Sequence, residues 1–154
     1  YAEACERLRN TFPNVAITTD IIVGFPDETE EDFKESLAFA EKMKLDKIHT
    51  FPYSPKKGTP AAKMKNQISG DVKSQRSKEM IALSDKMNID FLNNNIGKTV
   101  PVLFEDMENG FWQGHTTNYI KVLVKSDENL NNKKVDVKLD KIHGVEIVEG
   151  TVVK

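Results

Sequence analysis

One carboxylate interrupts an apolar strand near the start of the chain. Asp20 falls within Val15 to Phe25, a β-branched run too continuous to alternate, which is the pattern of a parallel strand covered on both faces. A carboxylate inside such a strand is costly without a partner, so the expected neighbour of Asp20 is a ligand or a donor-rich loop. The alternative is a solvated carboxylate in an ordinary connector. Gly24-Phe25-Pro26-Asp27 follows as turn chemistry. A second group, Tyr53, Ser54, Lys56 and Thr59, lies where a later strand ends in the loop Ser54 to Pro60. Loops at the carboxyl ends of parallel strands converge over the sheet, so these four side chains are placed to face a ligand. The same composition also describes an exposed turn. A third group, Trp112, His115, Tyr119 and Lys121, combines aromatic rings with polar and cationic tips. Such groups either fill a barrel core or stack on and bond to nucleobases.

The elements that must position these residues are legible from period. Tyr1, Cys5, Leu8 and Phe12 mark a first helix that ends at Pro13-Asn14. Thr29-x-x-Asp32 reads as a capping box opening a helix from about Glu30 to Lys44, whose acidic first turn suits the helix dipole. Asp46 to Tyr53 reads as a second strand, and helix, strand, helix, strand implies a parallel sheet with crossover connections. His49 within it reads as a satisfied core histidine, with ligand or base as the alternative. Ala61 to Lys65 is a short helical turn. A long helix then begins at Ser69-Gly70-Asp71, with Val72, Arg76, Met80, Leu83, Met87 and Phe91 along one stripe, and stops through Asn93 to Gly97.

After Gly97 the period changes to two. Thr99 to Phe104, Phe111 to Thr116, Tyr119 to Lys125, Val135 to Ile142 and Val145 to Val153 are short segments rich in Val and Ile, punctuated by Asn and Gly. This is the pattern of a small five-stranded barrel of the OB kind, a fold that commonly binds oligonucleotides.

Charge is segregated. Residues 1 to 53 carry 6 basic and 11 acidic side chains, residues 54 to 98 carry 9 and 4, and residues 99 to 154 carry 7 and 9. The middle segment is the only one whose balance favours a polyanion. The acidic balance of the last segment argues against strong nonspecific binding there. No run approaches a membrane span, and the expectation is a cytoplasmic, non-membrane protein. The single cysteine, Cys5, excludes a disulfide framework and any cluster of iron and sulfur held by this chain alone. No cysteine-based metal site is therefore expected within it. The start at Tyr1, inside a helical pattern, suggests a piece of a longer protein.

Three motifs in order carry a family likeness. ITTDIIVGFPDETEEDF, then IHTFPYSPKKGTPAAKM, then GFWQGHTTNYIKVLVK resemble the radical S-adenosylmethionine methylthiotransferases that modify tRNA, over essentially the whole chain. His49-x-Phe51-Pro52-Tyr53-Ser54 and Gly114-His115-Thr116-x-Asn118-Tyr119 are most similar to the threonylcarbamoyladenosine branch. The resemblance implies an α/β plus β fold: late strands and helices of a partial TIM-like barrel over residues 1–66, a connecting helix over 67–97, and a TRAM barrel over 98–154. It implies methylthio transfer to C2 of a modified adenosine beside the anticodon, with S-adenosylmethionine and two four-iron four-sulfur clusters in the full-length parent and none bound to this piece, which alone is expected to be inactive. Asp20, Gly24 and Tyr53 become candidate cofactor contacts. Ser54, Lys56, Thr59, Trp112, His115, Asn118, Tyr119 and Lys121 become candidate substrate or RNA contacts. The implied partners are tRNA and the amino-terminal part of the same enzyme. Asp27 stands where the family usually has glycine, and Lys56 where it commonly has arginine. Two alternatives stay open: a noncatalytic RNA-binding module, and the corresponding half of an enzyme acting on a ribosomal-protein aspartate. Two parallel strands without neighbours further predict a homodimer through the sheet edge.

Overall fold

The computed structural model describes residues 1–153. The elements run α1 (Ala2–Thr11), β1 (Thr18–Val23), α2 (Glu30–Met43), β2 (Lys47–Pro52), a 3-10 turn (Ala61–Lys63), α3 (Gly70–Asn93), β3 (Thr99–Glu108), β4 (Phe111–Thr116), β5 (Lys121–Val124), β6 (Lys134–His143) and β7 (Ile147–Val152). The chain divides into two units. One comprises Tyr1–Thr11 and Ile17–Met87, the other Phe12–Ala16 and the residues from Asn88 on.

In the first unit β1 and β2 form a parallel pair, with Asp20 beside His49 and Ile22 beside Phe51. Residues paired across a parallel ladder point to the same face. Thr19, Ile21, Val23, Ile48 and Thr50 therefore share one face. Its side chains are buried or half-buried, and Ser84 of α3 closes the outer edge of β2, accepting from the Ile48 N–H at 2.9 Å and donating to the Ile48 carbonyl at 3.2 Å. Phe33, Ala40 and Met43 of α2 and Met80 and Met87 of α3 are buried in the same unit.

The opposite face, with Asp20, Ile22, His49 and Phe51, is exposed. Two expectations are corrected here. β1 is covered on one face only, so Asp20 is not a buried carboxylate, and His49 is not a core histidine. A continuous β-branched run does not reveal which neighbours supply the second cover, and no described element does so. The stripe of α1 is corrected in the same way, since only Cys5 is buried while Tyr1, Leu8 and Phe12 stay exposed. On α3, Val72 is exposed although the rest of its stripe is at least half-buried.

Local chemistry accounts for the turns. The Thr29 hydroxyl accepts from the Asp32 N–H at 3.1 Å, and the Asp32 carboxylate accepts from the Thr29 N–H at 2.9 Å, a closed capping box. These bonds, the backbone one foremost, hold the Asp32 carboxyl below its ordinary value. Asp27 adopts φ 70°, a left-handed conformation that Asp tolerates better than most residues. Asn66 fastens that turn, donating its side-chain amide to Asp27 and accepting the Asp27 N–H at 3.0 Å. At the entry to β1, Asp46 accepts from the Ile17 N–H at 2.7 Å, and its burial raises its carboxyl above the ordinary value.

The second unit is a closed five-stranded barrel in the order β3-β4-β5-β7-β6, antiparallel except for the β5–β7 pair. Its core contains Val102, Phe104, Trp112, Val122, Val124, Val137, Leu139 and Val148, together with Leu92 and Leu130. Closure this tight needs inward positions without a side chain. A Cβ on Gly114 would strike the Leu103 carbonyl, and one on Gly150 would lie 2.5 Å from Val137.

Candidate functional site

The first candidate site lies at the carboxyl end of the β1–β2 pair. Gly24 there has φ 70° and is buried, and the place of its missing side chain is taken by the stem of Lys73 on α3. The close approach that requires glycine is thus made by a side chain of this chain. Lys73 reaches past it to donate to the Tyr53 carbonyl at 3.2 Å, its ammonium 5.9 Å from the Tyr53 ring centroid. Phe25 meets the same ring edge-on at 5.1 Å. The Tyr53 hydroxyl is buried and has no hydrogen-bond partner among the described residues. Asp20 stands on the exposed face of the pair beside His49.

A carboxylate and a buried cation, Glu28 and Arg76, hold this mouth together. Arg76 Nη1 lies 2.6 Å from Glu28 Oε1 and 3.1 Å from the Glu28 carbonyl, and its side chain is only 6% exposed. Glu28 Oε1 also accepts the Gly24 N–H at 2.9 Å. The turn after β1 is thereby tied to α3 through one carboxylate. The sequence pattern places Arg76 on an apolar stripe and leaves Glu28 just ahead of the acidic first turn of α2, with a site role for neither. The available signal is the stripe itself, because an arginine between Val72 and Met80 at core spacing needs a buried acid.

The loop after β2 places Ser54 and Lys56 in solvent. Thr59 is engaged locally: its hydroxyl donates to the Lys56 carbonyl at 2.8 Å and accepts the Ala62 N–H of the 3-10 turn at 3.3 Å.

The second candidate site is on the barrel. Trp112 is 7% exposed and belongs to the barrel interior. His115, one strand neighbour from Lys121, faces outward. Tyr119 is not part of a strand. It adopts φ 68° in a turn closed by its own N–H to the Thr116 carbonyl at 3.0 Å, and its side chain is 83% exposed. A left-handed tyrosine is strained, and the turn that imposes it sets the ring beside His115, with ring centroids 5.2 Å apart. Asn118 supports the turn by accepting from the Thr116 hydroxyl at 2.6 Å and donating to the Asn14 carbonyl at 3.1 Å. Glu105 lies 3.3 Å from His115 Nδ1. The structure therefore gathers His115, Asn118, Tyr119 and Lys121 at one place and sets Trp112 inside.

Among the described residues no three His, Cys, Asp or Glu side chains cluster as metal ligands, and no helix is long and apolar enough to cross a membrane. What these observations define is an α/β unit joined to a small closed β-barrel that presents an aromatic and basic outer patch. No family model matches the chain. It is 37% identical over 144 residues to threonylcarbamoyladenosine tRNA methylthiotransferase MtaB of Bacillus subtilis, covering 90% of the chain and 32% of that protein. It is 34% identical over 157 residues to tRNA-2-methylthio-N(6)-dimethylallyladenosine synthase of Acetivibrio thermocellus, covering 100% of the chain and 32% of that protein. To the synthase of the same name from Wolbachia pipientis subsp. Culex pipiens it is 42% identical over 106 residues, covering 69% of the chain and 24% of that protein. The chain belongs to the tRNA methylthiotransferase family, and it spans about a third of the length of the curated relatives it matches.

Proposed function

We propose that this chain is the carboxyl-terminal portion of a radical S-adenosylmethionine methylthiotransferase that adds a methylthio group to C2 of a modified adenosine next to the anticodon of tRNA. In this reading β1 and β2 are late strands of a partial TIM-like barrel, the barrel of β3 to β7 is an OB-like TRAM domain, and α3 connects them. The observation that carries the reading is the one-sided sheet. Helices cover one face while Asp20, Ile22, His49 and Phe51 stand open on the other, as the lumen-facing side chains of a barrel strand do. The upstream part of the parent would supply the remaining strands and the cluster ligands.

The fit of the implied groups differs. A single buried cysteine does not fit an iron-sulfur cluster, so no cluster step is assigned to this chain. S-adenosylmethionine fits better, and when bound it supplies the radical-generating chemistry. Asp20 offers an outward carboxylate for its ribose hydroxyls or amino group, and Tyr53 a hydroxyl without a partner among the described residues. Gly24, with Lys73 and Glu28 around it, shapes the mouth. Ser54 and Lys56 would face substrate from the loop, with Thr59 fixing that loop. On the barrel, His115, Tyr119 and Lys121 would contact tRNA, with Asn118 setting the turn.

The test uses the full-length parent carrying Asp20→Asn. Tenfold or greater loss of methylthio-adenosine in digested tRNA, by mass spectrometry, with tRNA binding retained, is expected. Unchanged modification would overturn the cofactor role. The isolated chain is expected to be inactive, and an iron-sulfur absorbance band from it would contradict the reading. A second reading, a noncatalytic RNA-binding module, is supported by the exposed Tyr119 ring beside His115 on the barrel. Ser84 takes the outer edge of β2 at Ile48, while β1 has one strand partner among the described residues, so the isolated chain is expected to dimerise through the edge of β1. Monomeric light scattering across a wide concentration range would refute that.

A further inference from the structure

Strand alternation sorts the outer surface of the barrel into two chemically distinct rows. On β4, Trp112, Gly114 and Thr116 face inward and Phe111, Gln113 and His115 face outward. On β5, Val122 and Val124 face inward and Lys121 and Leu123 outward, with Lys125 following at the strand end. Register sets His115 beside Lys121 and Gln113 beside Leu123. One row is therefore aromatic, amide, imidazole, and the next is cation, apolar, cation. At the end remote from Tyr119 the rows meet, the Lys125 ammonium lying 5.0 Å from the Phe111 ring centroid. Phe111, Leu123 and Lys125 form one wall of a groove of about 220 Å³ whose far wall includes Glu149 and Thr151 of β7.

Two acids line the groove, Glu149 and Asp140 of β6; Glu149 is paired with Lys141 and His143 of β6, and Asp140 accepts a hydroxyl. Glu149 Oε2 is 3.0 Å from Lys141 Nζ and its Oε1 is 2.9 Å from His143 Nδ1; the Lys141 bond foremost holds its carboxyl below the ordinary value. The Thr151 hydroxyl donates to Asp140 at 2.7 Å. Lys121 and Lys125 have no carboxylate partner among the described residues, so the β5 row keeps its positive charge.

We propose that the Phe111–Lys125 groove is a second nucleotide site, taking the base of a single-stranded RNA on Phe111 and its phosphate on Lys125 while the neighbouring stretch of the same strand lies on Tyr119, His115 and Lys121. The proposal rests on the RNA reading of the barrel and extends it. Phe111 and His115 are four residues apart on one strand, about 13 Å, so a single nucleotide does not reach both. The occupant is a strand of about four nucleotides or more, within the span that one barrel of this size accommodates. It is unpaired, because only splayed bases offer their faces to aromatic side chains.

The test measures binding of a fluorescent single-stranded RNA of about eight nucleotides to the full chain at several salt concentrations. Phe111→Leu and Lys125→Gln are compared with Tyr119→Ala and with Lys138→Gln, which lies on β6. Phe111→Leu and Lys125→Gln should each weaken binding about five- to tenfold, and Lys125→Gln should also reduce the slope of log affinity against log salt by about 0.7. Lys138→Gln should bind like the wild type, and the melting transition seen by Trp112 fluorescence should be unchanged for Lys125→Gln. Wild-type affinity in Phe111→Leu and Lys125→Gln with loss in Tyr119→Ala would overturn the second site and leave the RNA reading standing. Equal weakening by Lys138→Gln would reduce the effect to nonspecific charge and overturn it too. No binding by the wild type at low salt would remove the RNA reading and the second site together.

Discussion

Replacing Arg76 by Met tests whether one buried ion pair holds the mouth of the α/β unit. Methionine keeps an unbranched apolar stem in place of the one Arg76 lays against Phe33, where the guanidinium now sits 5.5 Å from the ring centroid. It removes the charge that faces Glu28, whose side chain is 16% exposed. Breaking a buried pair by deleting one partner costs about 3–5 kcal/mol, because the remaining charge is stranded. Glu28 retains the Gly24 N–H and some water, so the lower end, about 3 kcal/mol, applies here. The longer contact from Arg76 Nη2 to the exposed Glu30, at 3.6 Å, adds little. A loss of that size is a large fraction of a domain's stability and moves a urea midpoint by roughly 1–3 M. The assay is urea unfolding followed by helical circular dichroism, with fluorescence of Trp112, the sole tryptophan, reporting on the barrel in the same sample. The Arg76→Met, Glu28→Gln double variant should recover more than half of the loss, since it removes the stranded carboxylate. A cost below about 1 kcal/mol for Arg76→Met, or a double variant as unstable as the single one, would refute the reasoning.

The capping box gives a pH signature. The Asp32 carboxyl is lowered in the folded chain, so its contribution is present above the ordinary carboxylate range and is lost as pH falls through its folded value. Asp32→Asn should therefore lower the melting temperature at neutral pH and cost nothing in strong acid; an equal deficit at both would contradict this. Gly24→Ala should destabilise by about 1–3 kcal/mol in urea, because the new methyl must displace Lys73 and hold a left-handed φ. Gly114→Ala should cost the barrel at least as much, since it meets backbone at Leu103 and not a flexible stem, read by Trp112 fluorescence on heating. Trp112→Ala should unfold the barrel by about 3–5 kcal/mol, and its loss of RNA binding should track unfolding, whereas Tyr119→Ala should lose binding with the melt unchanged.

What the sequence could and could not reveal divides along a physical line. Period is local, so the strands of the barrel, the capping box at Thr29 and Asp32, and the turn at Asp27 were all readable from neighbouring residues. Cover is not local. Whether Asp20 is buried depends on what packs over β1, and a β-branched run reads the same whether or not the second layer is among the described residues. His49 was misjudged for that reason, since mid-strand position says nothing about which face is open. Tyr119 escaped because a β-propensity reading assumes extended backbone, whereas the Thr116 carbonyl and the Asn118 side chain force a turn that only the folded chain displays. The outward parity of Phe111 and Lys125, by contrast, was available once Trp112 was taken as a core residue, because the period of two then fixes every neighbour on β4 and, through register, on β5. Treating Trp112 as open between core and surface left that parity undetermined, and with it the groove. A small barrel is thus most legible from its most buried aromatic: once that residue is set inside, the outer rows follow by alternation.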